Sequence, residues 1–329
     1  TANNPSNYGR QNGFVTKLNS AGAVQWSTYL GTGELVRDVA VDKHGDIYVP
    51  LTMAANSSRD FTSANAPASL KNYFNGKFKN SPPTSNTADV GVAKIDGATG
   101  QLEWARWLGG TGSETTNPSI RVNDAGEAYL LVNTTSTSSS LPAVGTGVQA
   151  NNGGGTDMYL AKFNAEGTGL VYGTYLGGSG TEAHETHSLA LDQNGNAVVA
   201  NHTSSANYPV TPGAINLRGG IHDIGITRFD ANGVRTISAV IGGNGGENPD
   251  GIYVDATGRI YITGETGTTD LPVTADALQK TNAGSQDAFM MVLSADLTTI
   301  EYLSYFGGTG SDNGRTMFLG ANGTIYMLS

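Results

Sequence analysis

Apolar and polar residues alternate along short runs that return four at a time. One copy reads Gly251–Asp255, Arg259–Thr263, Asp287–Leu293 and Ile300–Phe306, designated runs A, B, C and D. Period-two alternation of β-branched and aromatic residues, bounded by Asp, Asn and Gly, predicts β-strands joined by hairpins. The chain opens out of phase: Phe14–Leu18 matches C and Val24–Leu30 matches D. Complete sets then start at Asp38, Pro118, Ser188 and Gly251, and Thr316–Leu319 with Thr324–Leu328 supply a last A and B. Twenty strands are expected, five groups of four once the two ends combine.

Between each D and the next A lies a glycine-rich loop. The stretch Tyr175-Leu176-Gly177-Gly178-Ser179-Gly180-Thr181-Glu182 has counterparts after Leu30, Leu108, Ile241 and Phe306, and these apolar anchors stand 78, 68, 65 and 65 residues apart. Such a period marks an array of one supersecondary unit. A lone four-stranded sheet has two apolar faces and two open edges; setting such sheets radially buries the faces and shortens the edges. The expected fold class is therefore all-β, a five-bladed β-propeller of four-stranded blades. The ring closes when the N-terminal C and D strands pair with the C-terminal A and B strands. As a single domain over 1–329, its closing blade takes 1–37 plus 313–329, and the others take about 38–117, 118–187, 188–250 and 251–312.

Composition agrees and narrows the partners. The 46 glycines and 14% charged residues fit many short strands with polar turns. A formal charge of −10 with only 18 Lys and Arg, scattered along the chain, argues against nucleic acid, since phosphate binding needs clustered cations. The chain has no cysteine, which excludes a disulfide framework and thiolate chemistry and fits an exported bacterial protein. No apolar run is long enough to span a bilayer, and membrane insertion is not expected. The start at Thr1 fits a removed leader or a piece of a larger exported protein.

The string Thr-Tyr-Leu-Gly-Gly-Ser-Gly at 174–180, with Leu189–Asn196 and with Leu271–Gln279 ahead of a C run, resembles the bacterial β-propeller repeat (SBBP-repeat) family over nearly the whole chain. The resemblance implies a propeller in an exported or surface-attached bacterial protein. The family label implies seven blades, and the strand count here departs from it.

Strands in a blade alternate in direction, so the B–C and D–A loops share one face, where polar groups on a rigid scaffold meet ligands. Glu34, Glu114, Glu182, Glu247 and Asp312 occupy equivalent places at the entry to each A run. Five carboxylates near one axis are candidate ligands for a hard cation such as Ca²⁺; the competing reading is that each caps the amides of its own loop. A second column, Asp89, Asp157, Asp223 and Asp287 with Asn12 in the fifth copy, starts each C run and is expected to accept backbone hydrogen bonds. Lys17, Lys94, Lys162 and Arg228, near the ends of those runs, are expected to be solvated or paired surface charges.

Four of the five histidines break the repeat. His184, His187, His202 and His222 fall in one blade beside Glu182, Glu185 and Asp223, a candidate site for zinc or another transition metal; chance placement in polar loops is the competing reading. The first B–C loop is the longest, and its Arg59, Tyr73, Phe74 and Phe78 are candidate contacts for a glycan, a protein partner or a second copy, or parts of a self-packed flap. There is no Gly-x-Ser-x-Gly elbow, and the glycine-rich loops lead into strands, so they lack the helix N-terminus of a phosphate cradle. The expected function is a non-catalytic extracellular surface or matrix protein acting in adhesion, scaffolding or ligand binding through its loop-bearing face, needing no cofactor beyond Ca²⁺ or Zn²⁺ at the sites named. Lectin-like carbohydrate binding is one alternative. The other is a carbohydrate-active hydrolase or lyase using loop-face acids or the histidines, since two acids about 5–10 Å apart suffice for glycoside hydrolysis.

Overall fold

Four of the A–B turns are each made by one Asp or Asn folding back on the chain. Asp42 Oδ1 accepts the amides of His44 and Asp46, both at 2.9 Å, and Asn123, Asp192 and Asp255 do the same in their own turns. The turn closes through a glycine in the left-handed region, with φ 86° at Gly45, where a Cβ is disfavoured. The C–D turns use a left-handed glycine too, except that Leu297 takes the position at φ 52°. Its side chain is fully buried in the core. Burying a leucine contributes about 1.5–3 kcal/mol against roughly 1–2 kcal/mol for the backbone conformation, so packing wins.

The computed structural model describes residues 13–30, 36–53, 77, 80, 87–114, 117–320 and 322–328, and every element among them is a strand. The first hairpin is β1 (Phe14–Leu18) and β2 (Val24–Tyr29). Next come β3 (Ala40–Val41), β4 (Ile47–Met53), β5 (Asp89–Ile95) and β6 (Leu102–Leu108), then β7 (Ser119–Val122), β8 (Ala128–Thr134), β9 (Asp157–Phe163) and β10 (Leu170–Leu176). A third set holds β11 (Glu182–Ala183), β12 (Leu189–Leu191), β13 (Ala197–Thr203), β14 (Asp223–Phe229) and β15 (Arg235–Ile241). The fourth is β16 (Glu247–Val254), β17 (Ile260–Thr266), β18 (Asp287–Leu293) and β19 (Ile300–Phe306), and β20 (Thr316–Leu319) with β21 (Ile325–Leu328) ends the chain. Each set is one sheet in sequence order, with β11 and β12 both pairing β13; the ladders are antiparallel, as in β16–β19.

The extra strand comes from one A run that is broken. Seven positions separate Glu182 from Leu189, against five from Glu247 to Ile252, so His184–Ser188 bulge out of the third sheet where β16 runs on with a single register shift. The terminal hairpins, expected to make one closing blade, are each a two-stranded sheet.

In the four complete sets the outer edge of the D strand is covered by the B–C loop of its own sheet. Val144 bridges Gly173 and Gln149 bridges Tyr175, the Tyr305 amide donates to the Gln279 carbonyl, and the Ala105 amide donates to the Lys77 carbonyl. Edges left bare would recruit other chains. The long B–C loops therefore have a structural duty before any functional one.

The chain groups into two compact units, 1–144 with 159–173, and 145–158 with 174–329. In the first, Trp26, Leu30, Val49, Leu51, Ala105 and Trp107 share one core. In the second, Ile226, Ile241, Ile262, Phe289, Met291 and Leu303 do. The basic column is more deeply engaged than surface charges would be. Lys162 is buried, with Nζ 2.7 Å from Glu127 and lying over the Tyr129 ring; Arg228 donates to the carbonyls of Ala295 and Gly258; and Lys17 donates to the carbonyl of Gly97. Arg228 and Lys17 reach turns of the next repeat and so hold neighbouring repeats together, while Lys162 pairs within its own sheet.

Candidate functional site

The glycine-rich loops are held by the acidic column. At the third loop the Glu182 amide donates to the Thr156 carbonyl at 2.7 Å, which places its carboxylate under the loop. Oε2 accepts the Gly178 amide at 2.7 Å and Oε1 accepts the Thr203 hydroxyl at 2.6 Å. The next loop amides go to side chains that follow strand β13: Ser179 to Asn207 Oδ1 at 2.8 Å and Gly180 to Ser205 Oγ at 2.7 Å. Glu114 repeats the knot with Gly110, Thr134 and Ser136, Glu247 with Thr266 and Thr268, and Asp312 with Gly308. Thr203→Val is expected to lower unfolding free energy by about 1–2 kcal/mol in urea titration, because a buried carboxylate oxygen loses its donor.

The two acidic columns meet. Asp157 Oδ2 accepts the Gly153 amide at 2.7 Å, while Oδ1 turns to Gly177 beside Glu182 Oε2. A Cβ on Gly177 would overlap both carboxyl oxygens, and Gly109, Gly242 and Gly307 stand in the same relation to Asp89/Glu114, Asp223/Glu247 and Asp287/Asp312. Glycine is required there to let two carboxyls close over the backbone. Two facing carboxylates in a buried place need a proton between them. Burial, with the charge of Glu182 adding to it, pushes Asp157 up to about 7; burial likewise raises Glu247 to about 6 and Glu114 and Asp223 above the usual carboxylate range.

This arrangement bears on the proposed cation ring. Glu114, Glu182, Glu247 and Asp312 each spend oxygens on their own loop, and Ca²⁺ takes six to eight oxygen ligands. Among the described residues, the one set of three His, Asp or Glu ligand atoms within 4.8 Å of one another is Asp46, Asp96 and Glu103. There Lys94 already supplies the positive charge, 2.9 Å from Asp46 and 2.8 Å from Glu103. Glu34 and the flap residues Arg59, Tyr73, Phe74 and Phe78 lie outside the described residues.

Three histidines come together and one turns away. His202 and His222 lie with ring centroids 4.9 Å apart, tilted by 32°. His202 Nδ1 is 3.1 Å from Asn248 Oδ1, and burial holds its pKa below the usual imidazole range. His184 Nδ1 lies 2.8 Å from the Glu185 carbonyl and is therefore assigned as the donor; burial, with His202 adding, takes its pKa down to about 4. His187 faces Asp250 at 3.7 Å, whose other oxygen is 3.3 Å from Arg315. Burial thus favours the neutral ring at His184 and His202, and the cluster does not gather three ligand atoms around one point.

What the repeat pattern concealed is a pair of open cavities on either side of residues 218–220. One, of about 260 Å³, is lined by Ser204, Ser205, Arg218, Ile221 and His222 among others. The other, of about 570 Å³, is lined by Asn216, Leu217, Arg218, Asn244, Asp270 and Pro272 together with the glycines of two loops. The signal available in the sequence was substitution at repeat-equivalent positions: Arg218 stands where Asn152 and Asn282 stand in other copies, and Asp270 where Ser140 and Asn207 stand.

No family model matches the chain. It is 25% identical over 264 residues to "Regulatory protein FlaEY" of Caulobacter vibrioides, a match that takes in 74% of this chain and 26% of that protein, so the chain spans about a quarter of that relative's length. Among solved structures it is similar to one described as "Structure of Dos1 propeller", at TM-score 0.44 and 11% identity over 95% of this chain and 69% of that one. It is also similar to "NanB plus Optactamide", at TM-score 0.46 and 9% identity over 88% and 54% of the two chains, and to "Crystal structure of polysaccharide lyase Uly1", at TM-score 0.40 and 9% identity over 88% and 53%.

Proposed function

We propose that the chain is a non-catalytic binding module of an extracellular bacterial protein. Its sheets form a five-bladed propeller, closed by the two terminal hairpins, that presents the B–C and glycine-rich loops to a surface glycan or protein partner. The observation that carries this reading is the internal use of the repeated acids. Glu114, Glu182 and Glu247 are fully buried and bonded to their own loops, so these three carboxylates do not face solvent as general acids or bases. The test is incubation with a panel of bacterial and plant polysaccharides, with and without a chelator. No new reducing ends or unsaturated products are expected. Turnover that Glu182→Gln abolishes would overturn the reading.

A further inference from the structure

Two positions at which one repeat departs from the others keep the repeat's hydrogen bonds and carry polar groups beyond what those bonds need. In the fourth sheet the Asn282 side chain donates to the Thr266 carbonyl at 3.1 Å. Arg218, its equivalent, performs that duty with the Ser205 and Tyr208 carbonyls at 2.9 and 3.1 Å and adds a bond from Nε to Asn216 Oδ1 at 3.0 Å. A guanidinium has five N–H donors, so two remain. Asp270 accepts the Asn244 amide at 2.7 Å through Oδ1, as Ser140 accepts that of Thr111 and Asn207 that of Ser179. A neutral acceptor suffices for this cap twice. The second carboxylate oxygen of Asp270 has no hydrogen-bond partner among the described residues, and the residue is exposed.

Both departures edge the same 570 Å³ cavity, whose remaining walls include the amide side chains of Asn216 and Asn244 and the apolar surfaces of Leu217 and Pro272. The volume lies in the range of about 300–1,000 Å³ usual for small-ligand sites. The opposed charges of Arg218 and Asp270 disfavour a simple anion or cation, and the polar lining disfavours an apolar ligand. A molecule that donates and accepts through adjacent hydroxyls while offering a C–H face satisfies every wall. We propose that this cleft is a saccharide subsite for a neutral hexose residue, with Asp270 accepting from and Arg218 donating to neighbouring hydroxyls and the ring resting on Leu217 and Pro272. The inference rests on the binding-module reading and names its ligand class.

The test is titration of the isotope-labelled chain with the methyl glycosides of glucose, galactose, mannose and N-acetylglucosamine, followed by amide shifts. Expected are saturable shifts at Leu217–Gly220 and at Gly243 and Asn244 with at least one sugar. Arg218→Asn and Asp270→Asn each install the residue that the repeat carries elsewhere, so the melting temperature should hold while affinity falls at least tenfold. Ser140→Asn, a matching exchange in another sheet, should leave affinity unchanged. Shifts confined to other regions, or affinity that survives both substitutions, would overturn the subsite and leave the binding-module reading standing. No response to any of the four sugars would overturn the hexose assignment. Polysaccharide turnover, by contrast, would sink the non-catalytic reading.

Discussion

Asp157→Asn is expected to stabilise the chain at pH 8 and to leave it nearly unchanged at pH 4. The carboxyl of Asp157 is fully buried against Glu182, and its pKa is raised from 3.8 to about 7. The folded chain therefore binds a proton there that the unfolded chain releases above about pH 4. The contribution of this proton is fully present below the unfolded value and is lost as pH rises through the folded one, so between about pH 4 and 7 stability falls with pH. Three pKa units correspond to about 4 kcal/mol. An asparagine keeps an oxygen for the Gly153 amide and presents an N–H to Glu182 at every pH, which makes the protonated arrangement permanent. Urea titrations of wild type and variant at pH 4.5 and 8 check this. Equal stabilities of the wild type at both values, or a variant weaker than wild type at pH 8, would remove the shared proton from the account. Glu247 should give a smaller dependence of the same sign, its pKa being raised only to about 6.

Sequence reasoning read the strands and the four complete sets because alternation and turn chemistry are local. Asp42, Asp192 and Asp255 fold back on amides two and four residues away, so their role is visible within one turn. The meeting of Asp157 with Glu182 was not legible: the Asp column was expected to accept backbone hydrogen bonds and the Glu column to hold a cation or cap its own loops, and only the close approach at Gly177 shows that the two carboxyls face each other. The break in the third A run went unseen for a related reason. Two added residues around His184–Ser188 leave the alternation of Leu189–Leu191 intact, so the pattern alone continues through them. Lys162, expected to be a solvated or paired surface charge, is paired with Glu127 but buried, its ammonium lying over the Tyr129 ring. The first of these is a contact between repeats, which periodicity within one repeat does not encode.

The second large effect concerns ring closure, and the apolar surface indicates what should meet what. Leu30, Leu108, Leu176 and Ile241 are buried at 0–6% exposure, whereas their equivalent Phe306 is half-buried. It lines an apolar cavity of about 510 Å³ with Met290, Val292, Tyr302, Ile325 and Met327. At the chain ends Phe14, Leu18, Tyr326 and Leu328 are 54–62% exposed, a cost that pairing β1 against β21 would relieve. In the fourth sheet Ile260 faces Leu293, Tyr261 faces Val292 and Ile262 faces Met291. Carried onto the termini, that register sets Ile325 against Leu18, Tyr326 against Lys17 and Met327 against Thr16. The middle pair would repeat the opposition of Tyr48 and Lys94, in which the ammonium lies 5.7 Å from the ring centroid. The chain has no cysteine, so Thr16→Cys with Met327→Cys introduces a single possible disulfide. Oxidation is expected to give a monomer of faster electrophoretic mobility and to add about 4–5 kcal/mol to stability, because the bond closes almost the whole chain into one loop. Thr16→Cys with Tyr326→Cys should oxidise poorly, since a one-residue slip sends the two side chains to opposite faces. Disulfide-linked dimers and ladders would instead mean that the hairpins exchange between copies, and two persistently free thiols would mean that β1 and β21 are not neighbours at all.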